Sequence, residues 1–340
     1  MTPLVSILIP AHNAEQWISD TLRSAIAQTW ERKEIIVVDD GSRDRTFEIA
    51  SQFESQSVNV VRQEKQGAAA ARNTALSLSH GDYIQWLDAD DLLAPDKISR
   101  QMEARKEKVS NRTLLSGPWG TFIYRPQRAR FTPTSLWADL SPVEWLIYKL
   151  QDNVFMQTAT WLVSRDLTAA AGLWDTRMLY DDDGEYFCRV LLASDGVHFV
   201  PDAKVYYRNS GSISLGFIGD NPSKIEALWL SMKLHIGYLR SLEDSPRVRA
   251  ACLQYLRTSL FYFYPQRNSI VEEAEQMAEE WGEQLGLPHR NWKYAWTERI
   301  IGQRLTKYGQ RFLRGARMWL ERKWDRTLLE NEGRNSSSLV

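Results

Sequence analysis

Cysteine is nearly missing from this chain, which holds two, Cys188 and Cys252, in 340 residues. Neither sits in a CxxC pair, so the sequence offers no zinc-ligand spacing and no disulfide framework. Both read as reduced core residues of a reducing compartment. Long apolar runs are missing too. Nothing approaches the roughly 18 consecutive apolar residues of a membrane-spanning helix. The apolar stretch 5–10 is too short for a secretory signal and has no basic leader. The expectation is a cytoplasmic protein. Nor is there an excess of one charge: 42 Lys and Arg face 43 Asp and Glu, a net of −1. The molecule as a whole exerts no pull on nucleic acid, and no nucleic-acid partner is expected. No internal repeat is visible.

What is present is ordinary in amount and particular in order. A composition 43% hydrophobic and 25% charged suits a globular protein with a large core. The length suits one large domain or a domain with an appendage. Residues 5–9 (VSILI) are a β-branched-rich run closed by Pro10. Residues 15–28 carry Trp17, Ile18, Leu22, Ala25 and Ile26 at helical spacing. Residues 34–38 (EIIVV) are almost continuously apolar, as in a strand buried on both faces. Residues 44–53 read as a helix with Ser42 as its N-cap. A short strand at 58–61, a helix at 68–79 and a strand at 82–87 follow, then a helix at 95–108 with Pro95 in its first turn. This alternation predicts an α/β fold, a mostly parallel sheet flanked by helices.

Residues 112–215 are less regular, with strands expected near 113–116, 121–124, 160–164 and 205–208 and helices near 142–150 and 184–193. Beyond Asn221 the pattern is helical, for instance over 225–242 and 247–263. Residues 209–219, rich in Gly and Ser, read as a mobile loop. The expected organisation is an α/β domain over 1–218, with halves 1–110 and 111–218, a helical C-terminal extension over 219–330, and a disordered tail over 331–340.

The chemistry-bearing signal is acidic. Residues 86–91 read WLDADD, three carboxylates in four positions directly after an apolar run. Crowded carboxylates repel, and burying even one is costly. A solvated turn is the plain explanation; a divalent cation is the sharper one. Asp88 and Asp90, one residue apart in an extended segment, project the same way. Magnesium and manganese prefer oxygen ligands and complete their shell with water and substrate phosphates. A second acidic pair, Asp39-Asp40, follows the second strand, and parallel sheets bind ligands at these carboxyl ends.

Five segments in order, VSILIPAHN (5–13), SAIAQTW (24–30), VVDDGSRD (37–44), GAAAARNTAL (67–76) and LDADD (87–91), together resemble the family 2 glycosyltransferases. The likeness resumes at WDTRMLYDDDGEYFCR (174–189). It implies the GT-A type, Rossmann-like fold and transfer of a sugar from a nucleotide-diphosphate sugar to an acceptor hydroxyl. Carried onto this chain, it implies that Asp90 binds Mg2+ or Mn2+ and that Asp88, beside Ala89, contacts the ribose or the metal's water shell. Asp40 would accept a hydrogen bond from the base, favouring a UDP- or dTDP-type donor. Pro10, His12 and Glu15 would line the nucleoside. Arg72 would lie near the base or the phosphates, and Gly67 would let the backbone approach closely. His12 departs from the family pattern, where Tyr is frequent. Asp39 reads as a support for its loop.

The resemblance makes Asp183 the general base that takes the acceptor's proton, with inversion at the anomeric carbon. Here Asp182 stands where the family has Glu. The same acidic run suits a helix N-terminus, and the two roles are compatible. Arg189 is a candidate partner of these acids, and Asp175 reads as structural.

No QxxRW motif occurs, so addition of a single sugar is expected, in glycan or cell-surface polysaccharide assembly, with a glycan or lipid-linked acceptor. Residues 297–326 combine nine Lys or Arg with three acids and apolar residues at Ile301, Leu305, Tyr308, Phe312, Ala316 and Trp319. That pattern reads either as a basic amphipathic helix making peripheral membrane contact at the inner face, or as a helix packed on the domain. A nucleotidyltransferase would place Gly, Lys or Arg after the first strand, where this chain has PAHNAEQW. A non-catalytic nucleotide-sugar-binding or interaction protein on the same fold is the remaining alternative.

Overall fold

A computed structural model describes residues 2–105, 110–210, 221–263, 267–285 and 320–329. The first half follows the expected alternation: β1 (Val5–Ala11), α1 (Ile18–Ile26), β2 (Lys33–Asp40), α2 (Thr46–Ser51), β3 (Val58–Gln63), α3 (Ala68–Ser77) and β4 (Tyr83–Trp86). Next come β5 (Leu92–Leu93), α4 (Lys97–Arg105), β6 (Thr113–Ser116), β7 (Trp119–Phe122), β8 (Arg130–Phe131), α5 (Pro142–Asp152) and β9 (Val163–Ser164). The remainder is α6 (Arg165–Ala171), α7 (Asp182–Ala193), β10 (Gly196–Phe199), β11 (Val205–Arg208), α8 (Pro222–Leu242), α9 (Pro246–Phe263) and α10 (Asn268–Glu280). The last described segment, residues 320–329, is helical.

The main sheet has the order β3-β2-β1-β4-β9. Its first four strands are parallel, and β9 closes the edge antiparallel to β4. Smaller sheets, β10-β6 and β5-β11-β7-β8, extend it. Strand pleating sends successive side chains to opposite faces. Ile7, Ile9, Ile35 and Val37 therefore join one core with Ile18, Leu22, Ala50 and Ile98 of α1, α2 and α4. Leu8, Ile36, Val38, Ile84 and Trp86 join another with α3 and the later helices. Burial on both faces explains why these strands read as unbroken apolar runs.

Several local expectations are corrected. Ser42 does not cap α2, which starts at Thr46 with Arg45 in the cap position. Its hydroxyl instead accepts the Asn13 N–H at 2.9 Å, joining the loops after β1 and β2. Pro95 precedes α4, which begins at Lys97. The strand expected over 160–164 is a 3-10 turn at Thr158–Thr160 followed by the two-residue β9. The expected loop at 209–219 lies, from residue 211 on, outside the described residues, as do the tail and residues 297–319 of the expected basic helix. Within 320–329, Asp325 accepts from the Tyr124 N–H (2.9 Å) and Arg125 Nε (2.7 Å), seating this helix beside β7. No described helix is long and apolar enough to cross a membrane.

Candidate functional site

Strands β1, β2 and β4 end side by side, and the loops that leave them carry His12, Asp40 and the Asp88–Asp91 run. The order 3-2-1-4 puts the topological switch between β1 and β4, where such sheets form a crevice. Pro10, opposite Val38 of β2, is the last residue but one of β1. Asp40 then organises the neighbouring loop: Oδ1 accepts from Gln63 Nε2 and the Gln66 N–H, and Oδ2 from the Gly67 N–H, each at 2.8 Å. A carboxylate oxygen takes more than one donor, so Oδ2 retains capacity. Gly67, at φ +98°, makes the turn into α3 that few other residues would adopt.

His12 Nε2 faces two donors, Asn13 Nδ2 and Lys65 Nζ, both at 3.1 Å. The network therefore assigns the proton to Nδ1, which donates to the Asp40 carbonyl at 2.8 Å. Glu15 accepts the Arg45 N–H at 3.2 Å. Asp39 is buried against Arg62 Nε (3.2 Å) and the Ser42 N–H (3.3 Å), a support for the loop.

The acidic run after β4 is fixed from several sides. Thr21 donates to the Ala89 carbonyl (2.9 Å) and Arg208 Nε to the Asp90 carbonyl (2.7 Å). Asp91 is fully buried and accepts from the Arg208 N–H (2.7 Å) and Gln157 Nε2 (2.5 Å). The Arg208 guanidinium lies between the Trp17 and Phe122 rings, 4.4 and 4.6 Å from their centroids. Burial, then the Asp88 charge, pushes the Asp90 carboxyl above the usual range, with the Ser210 hydroxyl and Arg208 opposing, and Asp91 is raised likewise by burial and the Asp90 charge.

Among the described residues no three His, Cys, Asp or Glu side chains cluster to enclose a metal. The pair Asp88 and Asp90 is nonetheless a hard-oxygen donor set with an under-compensated buried charge. It fits a divalent cation that takes its other ligands from a diphosphate and water.

Arg72 ties the two acidic clusters together. From α3 its Nη2 reaches Asp88 Oδ1 (2.8 Å) and its Nη1 reaches Asp182 Oδ2 (2.5 Å), while the guanidinium lies 4.4 Å from the Trp174 ring centroid. Burial opposes its charge, but Asp182 and Asp88 outweigh burial and raise its pKa. Asn73, next on α3, accepts the Trp174 N–H (2.8 Å) and donates to the Trp174 carbonyl (2.9 Å), docking the segment that leads to α7.

Asp183 accepts from Thr158 Oγ1 at 3.2 Å and from the Gly184 N–H at 2.9 Å. Burial, then Asp182 and Asp181, push its pKa up to about 7 against the pull of Arg72. Burial and the charges of Asp91, Asp90, Asp88 and Asp183 together raise the Tyr207 phenol above its usual range, so Tyr207 lies in the field of both acidic clusters. Arg189 pairs with Glu185, the last acid of the 181–185 run, at 2.7 and 2.8 Å, and Asp175 pairs with Arg177 at 2.7 Å.

The sequence reading missed Gln157, Thr158, Tyr207 and Arg208. All four lie in the irregular middle, where only tertiary pairing brings them to the acidic loops. Asp182, expected only in the place of the family's Glu, is the partner of Arg72.

The Glycosyl transferase family 2 model matches residues 6–154. An uncharacterized glycosyltransferase of Rickettsia typhi is 26% identical over 273 residues, 77% of this chain and 80% of that protein. A Bacillus subtilis protein named for teichuronic acid biosynthesis, TuaG, is 41% identical over 109 residues, 31% of this chain and 43% of that protein. Among solved structures, Staphylococcus aureus TarS 1–349 in complex with UDP superposes with a TM-score of 0.60. It is 18% identical, over 81% of this chain and 78% of that one, a likeness of fold. The family match over residues 6–154, these relatives and this sheet agree in the likeness to the family 2 glycosyltransferases.

Proposed function

We propose that this glycosyltransferase moves a single sugar from a UDP- or dTDP-type donor to an acceptor hydroxyl in polysaccharide assembly, with inversion. The observation that carries the reading is Arg72, which holds Asp88 and Asp182 in one network. It makes the two acidic clusters one site with two tasks. The nucleoside lies along Pro10, His12, Glu15 and Asp40, with the loop at Gly67 closing over it. Asp90, with Asp88, would hold Mg2+ or Mn2+, which when bound would supply positive charge against the leaving diphosphate. Arg72 shares that neutralisation and holds the acidic segment beside the donor.

Asp183 is the base. Its pKa of about 7 suits removal of a hydroxyl proton near neutral pH. Thr158 and the Gly184 N–H orient it, and the proton it takes leaves the acceptor oxygen free to attack the anomeric carbon opposite the diphosphate. UDP in the complex of TarS supports a uracil-type donor, and the name of TuaG supports a cell-surface polysaccharide as product. Peripheral membrane contact has no support in the described residues.

A thermal-shift panel of UDP, dTDP, GDP and CDP, each with and without Mn2+, tests the donor assignment. Binding to the folded state alone stabilises by mass action, about 2.7 kcal/mol at a hundredfold excess over Kd. UDP or dTDP with Mn2+ is expected to raise the melting temperature by several degrees, and Asp90→Ala to abolish the metal-dependent part. No shift with any nucleotide would overturn the reading in favour of an interaction protein on this fold.

A further inference from the structure

The match to the family model ends at residue 154, before the acidic segment and before α8. Yet α8 reaches directly into that segment. Ser231, His235 and Tyr238 stand at i, i+4 and i+7 of α8, one stripe of the helix. Ser231 Oγ donates to Asp181 Oδ2. His235 Nε2 lies 3.8 Å from the same oxygen, and its Nδ1 shares a hydrogen bond of 3.2 Å with the Tyr255 hydroxyl of α9. The Tyr238 hydroxyl donates to Glu185 Oε1 at 2.7 Å. Ser231 and His235 are fully buried, so these are interior contacts, not solvent bridges.

The residue they hold needs holding. Asp181 sits in the left-handed region at φ 58°, ψ 33°, a conformation that a non-glycine residue adopts at a cost and keeps only when its surroundings insist. Its side chain folds back over the first turn of α7, where any side chain at Gly184 would collide with it. That sharp turn sends Asp182 towards Arg72 and Asp183 towards Thr158. Burial, then the charge of Lys149, lowers the His235 pKa to about 4. The imidazole is therefore neutral at pH 7: it packs against Asp181 as a polar wedge, with its hydrogen bond going to Tyr255, and is no counter-charge.

We infer that the polar stripe Ser231–His235–Tyr238 of α8 positions the base: it clamps Asp181 and Glu185 on either side of Asp183 and so makes the helical extension a working part of the site. None of the three is assigned to donor, acceptor or reacting atoms; they act through the acidic turn. The inference rests on the reading of Asp183 as base.

The test uses full-length Ser231→Ala, His235→Leu and His235→Gln, with Asp183→Asn as reference. Amide hydrogen exchange over 178–190, exchange over β1–β4, the UDP–Mn2+ thermal shift, and turnover of the nucleotide sugar whose nucleotide binds are all measured. Ser231→Ala and His235→Leu are expected to speed exchange in 178–190 about tenfold or more while β1–β4 and the UDP shift stay as in wild type. Turnover should fall about 10- to 100-fold, the effect of a small misplacement of a reacting group. His235→Gln, which keeps a neutral donor, should recover most of both. Exchange rising equally everywhere, or turnover and UDP binding falling in step, would overturn the inference in favour of a merely structural helix. Unchanged turnover despite a loosened segment would overturn it too. If Asp183→Asn turns over like wild type, the base assignment itself fails, whatever the exchange data show.

Discussion

Asp183 illustrates how residue type and place divide the work. A free aspartate is ionised at neutral pH and too weak a base to compete for a hydroxyl proton. Here burial and two neighbouring carboxylates bring the pKa to about 7. As the proposed base, Asp183 acts only when ionised, so kcat should rise with pH through a single ionisation near 7 and level off above it. Asp182 is the largest of the charges that raise Asp183. Asp182→Asn should therefore shift the acid limb of the kcat–pH profile to lower pH, and a limb that stays in place or moves up would contradict this account. The acidic residue types were legible in the sequence; the pairing was not. Nothing in GAAAARNTAL says that its Arg reaches Asp88 and Asp182 at once, and Arg189, nearer in sequence, turns instead to Glu185.

Elements supply the rigidity that these charges need. Trp174 stacks on Tyr186 of α7 with centroids 4.0 Å apart and planes at 7°, beneath the Arg72 guanidinium. Trp174→Ala removes a fully buried ring, a change that costs about 3–5 kcal/mol in comparable cores. Urea denaturation should show that loss, with UDP affinity weakened as well because Arg72 loses its floor. The alternating strands and helices up to α4 were readable because β1 and β2 are apolar for most of their length and α1 carries a 3.6-residue stripe. Where the reading failed, at Ser42 and at the start of the strand expected over 160–164, a long-range hydrogen bond overrode a local preference. Ser42 bonds Asn13 in place of capping α2. Gln157 and Thr158, at the start of the 3-10 turn, bond Asp91 and Asp183.

At the scale of the whole molecule, the nucleotide half is a recurrent design and the later part gives it a particular use. The sheet brings three strand ends to one edge, and the middle of the chain lays Gln157, Thr158, Tyr207 and Arg208 across the acidic loops. The extension grips the turn before α7 from behind. Sequence motifs disclosed the first of these layers because its residues act within a few positions of each other. The other two join residues far apart in the chain, and such contacts leave no local pattern. The central claim is that one cleft divides cation and diphosphate binding from proton removal. Its most direct test measures UDP–Mn2+ affinity and sugar-transfer turnover side by side for wild type and Asp183→Asn. The account predicts affinity within about twofold and a loss of at least 100-fold in kcat, the scale of general-base catalysis. Asp183→Asn turning over within a few fold of wild type, with UDP bound as before, would contradict it.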